Sequence, residues 1–162
     1  MAIREIGRPV WEDCVERLGA KPPRSDFRWE LVLPSNLYYA DRAAVALLRR
    51  FHEVEWRRCW DVPIRLAVVE CLSNAIEHGN RFQAKKVVRM RVWCNPQRIR
   101  IVIRDQGQGF DPSRKRSLEQ LNRKFRDRGR GLHIVQHLMD EVKFYLNGRE
   151  VRLVKKLISA DR

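Results

Sequence analysis

Residues 27–33 read Phe-Arg-Trp-Glu-Leu-Val-Leu before Pro34, and this alternation predicts a strand. The period then changes. Leu37, Ala40, Ala44, Leu47, Leu48 and Phe51 recur at three- and four-residue spacing, which predicts a helix to about His52 with one apolar face and Ser35 as its N-cap. A second helix is predicted from Asp61, with Pro63 in its first turn, to a stop at Gly79. Ile64, Leu66, Ala67, Val68, Cys71, Leu72, Ala75 and Ile76 form its apolar set. Two β-branched alternating runs, 86–93 and 98–104, flank Cys94-Asn95-Pro96-Gln97 and read as a hairpin. A glycine-rich turn at 105–110 follows, then a basic segment and a predicted helix at 132–139. Runs at 142–146 and 151–157 close the chain as a hairpin around Asn147-Gly148, a strong turn signal.

Strand, two helices, two strands, turn, basic segment, helix and two strands fit one sheet covered on one face by helices, a two-layer α/β sandwich. Residues 1–25, which contain Pro9, Pro22 and Pro23, read as an N-terminal extension, and 26–162 as one domain. The length of 162 residues suits a single core. No run approaches the roughly 20 apolar residues of a membrane span, and Glu5, Trp11, Glu12 and Asp13 leave no room for a signal-peptide core, so a cytoplasmic protein without membrane attachment is expected. Cys14, Cys59, Cys71 and Cys94 form no C-x-x-C pair, which argues against a disulfide framework or a zinc site.

The net charge of +14 favours anionic partners without choosing among nucleic acid, acidic proteins and phosphate ligands. The charge is uneven. Residues 113–130 carry Arg114, Lys115, Arg116, Arg123, Lys124, Arg126, Arg128 and Arg130 against Glu119 and Asp127. This segment reads as a lid beside the glycine turn, equally consistent with a solvated face.

Chemistry concentrates in three places. Glu70, Asn74 and His78 stand four residues apart on the second helix and would form one polar ridge in an apolar segment. Such a ridge suits either an exposed stripe or a site in which Asn74 offers an oxygen to magnesium and Glu70 a base. Asp105-Gln106-Gly107-Gln108-Gly109-Phe110 puts a carboxylate at a strand end before two glycines, and Gly129-Arg130-Gly131-Leu132 opens a helix whose free amides can face phosphate. A dinucleotide fingerprint is excluded, because Pro112 and Ile134 stand where third glycines would be, and no G-K-[ST] loop exists. His133 and His137 have a metal-ligand spacing but no evident third ligand.

In this order, Glu70-x-x-x-Asn74-Ala75-Ile76-x-His78-Gly79-Asn80, Asp105-x-Gly107-x-Gly109-Phe110 and Gly129-x-Gly131-Leu132 resemble the nucleotide-binding boxes of the ATPase superfamily of gyrase and the sensor histidine kinases. The Asn-Ala-Ile-x-His-Gly stretch is similar to that of the anti-sigma factor serine/threonine kinases. The resemblance covers roughly 27–156 and implies a histidine-kinase-like ATPase fold with a mixed, mainly antiparallel sheet. It implies ATP and Mg2+ as ligands, Glu70 as catalytic base, and Asn74 as magnesium ligand. Asp105 would take the adenine amino group, with Gly107, Gly109 and Phe110 beside the base. Gly129, Gly131 and Leu132 would lie at the phosphates, with His78, Arg128 and Arg130 completing the ATP-binding set. The implied partners are an anti-sigma antagonist as substrate, a sigma factor and a second copy of the chain. The basic residues lie beside the proposed ATP site without a nucleic-acid recognition motif, so nucleic acid is not an expected partner. The competing reading is a non-catalytic, ATP-gated interaction module. A sensor histidine kinase lacks room before Glu70 for a paired-helix phosphoacceptor module.

Overall fold

The computed structural model describes residues 15–18, 27–53, 61–95, 97–109 and 130–156. Their elements are β1 (Val15–Leu18), β2 (Phe27–Pro34), α1 (Tyr38–Glu53), α2 (Asp61–Asn74) continued by a π-helical turn (Ala75–Gly79), β3 (Val87–Asn95), β4 (Arg98–Arg104), α3 (Arg130–Leu138), β5 (Glu141–Tyr145) and β6 (Glu150–Lys156). The strands form a six-stranded sheet ordered β1-β2-β3-β4-β6-β5. All of these pairings are antiparallel, where a mixed sheet was expected. The connections supply the reason. Two helices between β2 and β3 return the chain to the end of the sheet it left, so β3 must run back along β2. The crossover from β4 lands on the outer position, β5, and a hairpin folds β6 between them.

The register assembles the core. Trp29, Val92, Ile101, Leu153 and Val142 stand in one row across the sheet, and Leu31, Met90, Ile103, Val151 and Phe144 in the next. These side chains meet Ala40, Ala43, Ala44, Leu47 and Phe51 of α1, Ile64, Val68, Cys71 and Leu72 of α2, and Val135 of α3 in one cluster. Helix α2 lies between α1 and α3. The other face of the sheet carries no described helix, and basic residues occupy many of its positions, including Arg91, Arg100, Arg104 and Arg152.

Four sequence expectations are corrected. Val15–Leu18, inside the stretch read as an extension, pairs along β2 as an edge strand. Ser35 does not cap α1. It is buried, and its hydroxyl donates to Lys86 O (2.9 Å), while Asn36 Oδ1 accepts from Tyr38 N–H (2.9 Å) and takes the capping role. Leu37 and Leu66, placed on the apolar helix faces, are exposed. The closing hairpin pairs Tyr145 with Glu150, so Asn147-Gly148 sits in a four-residue loop in which Leu146, Asn147 and Gly148 all have positive φ. Cys71 and Cys94 are buried thiols not joined in a disulfide. No helix among the described residues is long and apolar enough to cross a membrane.

Ile101 lies in the middle of a core row and is fully buried. Ile101→Ala is expected to lower unfolding stability by about 2–5 kcal/mol in denaturant titration, since the transfer loss and the cavity add.

Candidate active site

At one end of the sheet β2 and β4 finish, β3 and β6 begin, and the connecting segments converge. Asn80, fully buried, ties them together. Its Nδ2 donates to Ser35 Oγ (2.7 Å) and to Val87 O (3.0 Å), and its Oδ1 accepts from Gln106 N–H (2.8 Å). Gln106 in turn accepts from Val87 N–H through Oε1 (2.8 Å). One amide thus fixes the glycine turn after β4 against the end of α2.

The geometry that presents Asn80 is local. Its own N–H donates to Ala75 O (2.8 Å), an i→i−5 bond that closes the π-helical turn, a feature common at functional sites. Arg81 and Phe82 then adopt left-handed φ of 53° and 56° and end the helix. The wider turn also alters the expected ridge. Glu70 and Asn74 lie within α2, one turn apart, whereas His78 belongs to the π-helical turn. A turn closed by i→i−5 bonds advances by a smaller angle per residue, so His78 departs from the line through Glu70 and Asn74. Its Nε2 stands 3.8 Å from Glu77 Oε2.

Asp105 follows β4 directly, and its N–H donates to Arg149 O (3.0 Å) while its Oδ1 accepts from Gly107 N–H (2.7 Å). The carboxylate lies on the backbone of Gly79, where an added Cβ would overlap it. Likewise a Cβ on Gly107 would strike the Gly79 carbonyl oxygen. Gly109, at φ 77°, presses on the carbonyl of Asn147. These glycines are required by close approach, with Gly109 also needing its backbone conformation. Burial pushes the Asp105 carboxyl above its ordinary pKa, a shift opposed by the Gly107 N–H and the charges of Arg149 and Lys86.

The other glycine pair reaches the site through α2. Glu70 Oε2 lies against the backbone of Gly131 in the first turn of α3, so that a Cβ there would collide with the carboxylate. Leu132 follows in the same turn, half-buried. Beside Glu70, Cys71 is buried, and desolvation aided by the Glu70 charge pushes its thiol to a pKa of about 12. It is therefore no nucleophile at neutral pH. Asn74 is half-buried and makes no side-chain hydrogen bond to another described residue. Its amide oxygen, on α2 one turn after Glu70, is a hard donor of the kind Mg2+ takes together with phosphate and water. No group of three or more His, Cys, Asp and Glu side chains able to hold a metal occurs among the described residues.

The structure thus gathers Asp105, Gly79, Gly107 and Asn80 at one end of α2, and Glu70 and Gly131 some nine residues back, roughly 13 Å along the helix. Phe110, Arg128 and Gly129, with the remaining lid arginines, lie outside the described residues, as does the side chain of Arg130. Sequence reading did not single out Asn80 for its hydrogen bonds, nor Lys86 and Arg149 as the cations facing Asp105. The signal for Asn80 was its place in the motif after Gly79. The two cations come from distant loops and had no signal in spacing.

The site and the sandwich that builds it define a class of nucleotide-binding ATPase domain, and residues 32–155 match the histidine kinase-like ATPase domain family, to which the chain belongs. It is 28% identical over 109 residues to the serine-protein kinase RsbW of Bacillus velezensis, covering 61% of this chain and 66% of that protein. Similarity extends to RsbW of Staphylococcus epidermidis (31% over 99 residues, 56% and 62% covered) and to the anti-sigma F factor of Anoxybacillus flavithermus (30% over 99 residues, 58% and 68% covered). The aligned region thus spans a little under two thirds of the length of the RsbW relatives.

Two outcomes follow from this geometry. Because the Asp105 carboxyl titrates higher when folded than when unfolded, its contribution to stability is greatest below its ordinary value of 3.8 and is lost as pH rises through the folded value. Asp105→Asn should therefore melt at or above the parent temperature at pH 7, with the difference vanishing in acid, while adenine-nucleotide binding by calorimetry falls sharply. Asn80→Ala should instead destabilise the fold by at least about 1–3 kcal/mol in denaturant, because Val87 O, Gln106 N–H and the Ser35 hydroxyl lose a buried partner.

Proposed function

We propose that this protein is an ATP- and Mg2+-dependent serine/threonine protein kinase of the anti-sigma type. It phosphorylates an anti-sigma antagonist protein in the cytoplasm, binds a sigma factor and works as a homodimer. The observation that carries the reading is the convergence of the three boxes on α2, with Asp105 seated on Gly79 and Glu70 on Gly131. The names of the relatives, serine-protein kinase and anti-sigma F factor, support the same direction.

In this reading Asp105 accepts a hydrogen bond from the adenine amino group, and the turn held by Asn80 keeps Gly107 and Gly109 low enough for the base to lie over them. Asn74 Oδ1 would hold Mg2+, which when bound would neutralise charge on the triphosphate. The first-turn amides of α3 at Gly131 and Leu132 face the phosphates, and Arg128 and Arg130 add positive charge from the lid. Glu70 takes the proton of the substrate hydroxyl as its oxygen bonds to the terminal phosphorus. The bond from that phosphorus to the bridging oxygen breaks, and ADP leaves. Phosphoryl transfer is chiefly a matter of positioning and charge neutralisation, and the chain supplies both.

The reading separates binding from chemistry. Glu70→Ala is expected to bind ATP and Mg2+ within about threefold of the parent but to lose transfer by about 10²-fold or more, as removal of a general base does. Asn74→Ala should weaken magnesium-dependent ATP binding itself. Calorimetry with ATP, with and without Mg2+, and transfer of labelled phosphate to candidate antagonist domains measure the two effects. Transfer by Glu70→Ala at the parent rate would overturn the base assignment. An ATP-gated interaction module would show nucleotide-dependent partner binding without any phosphoserine or phosphothreonine.

A further inference from the structure

The sheet face that no described helix covers carries an arrangement of arginines that the candidate nucleotide site does not use. Val102 lies at its centre. Arg91 and Arg152 stand directly opposite it on β3 and β6, and Arg100 and Arg104 lie two residues away on its own strand. Strand spacing of about 4.8 Å and a two-residue repeat of roughly 6.8 Å set the dimensions of this cluster. Val102 is only 4% exposed although no described helix covers the face. Arginine stems can lie along apolar surface of this kind while their charged heads stay outward.

The cluster is partly braced from below. Glu150, 3% exposed, accepts from Arg152 Nε at 2.7 Å and stands 3.8 Å from Arg91. A single buried carboxylate therefore orients two guanidinium groups without neutralising the set. Arg100 and Arg104 are exposed and have no carboxylate within 4 Å among the described residues. Four cations against this one carboxylate leave the cluster with an excess of positive charge that an anion lying over it would relieve.

We propose that this arginine face is a docking surface for an acidic segment of a partner protein, one presenting several Asp or Glu side chains in succession. Guanidinium forks match carboxylates bidentately, and the two that Glu150 holds are already positioned to do so. A second copy of this face is disfavoured, because it would oppose arginine to arginine in a chain of net charge +14. Nucleic acid fits less well. The rings of Tyr145 and Trp93 that could stack on bases already carry Arg152 at 3.9 Å and Arg91 at 5.7 Å. No element among those on this face projects to enter a groove. The face lies across the sheet from α2, so its occupation and nucleotide binding are separable.

The test uses the full chain, a fluorescein-labelled deca-glutamate peptide and a labelled deca-thymidine strand, read by anisotropy at low and high salt. Arg100→Glu with Arg104→Glu should weaken peptide binding at least about tenfold, with calorimetric ATP affinity within about twofold of the parent. Arg49→Glu with Arg65→Glu makes the same change in net charge on exposed helix positions and should leave peptide binding within about twofold. Arg100→Gln with Arg104→Gln, which introduces no new charge, should show an intermediate loss and guards against misfolding of the reversal variant, whose melting curve is measured alongside. Equal loss in both charge-reversed pairs would overturn the proposal, since net charge alone would then explain binding. So would tighter, equally face-dependent binding of the thymidine strand, which would make the surface a nucleic-acid site.

Discussion

Asn80 carries the connection on which the candidate active site depends. A primary amide has two donors and an acceptor with two lone pairs, and here both donors and the acceptor go to backbone or side-chain groups on three different segments. Buried polar groups must find partners, so those segments cannot drift apart without leaving donors and acceptors unsatisfied inside the fold. The glycine turn after β4 is thereby held to the end of α2 by the same groups that fix the starts of α1 and β3. The rigidity of the turn belongs to a network of neutral hydrogen bonds, which salt does not screen.

What the network holds is a set of close approaches that resist each other. Asp105 is driven into a partly desolvated place against Gly79, which disfavours its charge, while the Gly107 amide and the cations Lys86 and Arg149 favour it. The two left-handed residues Arg81 and Phe82 and the π-helical turn before them are further departures from the easiest backbone. Such features persist where the surrounding structure over-determines them, and they concentrate at binding sites. The apolar rows of the sheet and the fully buried faces of α1 and α2 supply that surrounding structure. The core and the site are thus one construction: α2 buries Ile64, Val68 and Leu72 on one side and offers Glu70 and Asn74 on another.

The sheet separates two kinds of surface. Its helix-covered face organises glycines and carboxylates at a single end, where a ligand would be enclosed. Its other face, which no described helix covers, spreads arginines over a broad area, with the buried carboxylate of Glu150 placed beneath them. The strand period of two produces this division directly, since every second residue of β3, β4 and β6 is committed to the core. A net charge of +14 is consequently not one feature. Part of it belongs to the basic segment after the glycine turn, and part to the sheet face opposite α2.

The sequence by itself determined the elements and their order, because the two-residue and three-to-four-residue hydrophobic periods of 27–33, 37–51, 64–76 and 86–104 are local properties that the core then satisfied. It also singled out the candidate site's residues, since Glu70, Asn74, Asp105 and Gly131 stand out in residue type and spacing. Tertiary structure decided the rest. Val15–Leu18 joined the sheet because an edge of β2 offered hydrogen bonds, which no short polar-and-apolar stretch announces. Ser35 left its capping place because Asn80, 45 residues away, drew it inward. His78 left the ridge of Glu70 and Asn74 because closing the bond from Asn80 N–H to Ala75 O widened the turn. Each depends on a partner distant in sequence or on a change in helical pitch, and neither is encoded in the period of the residues concerned.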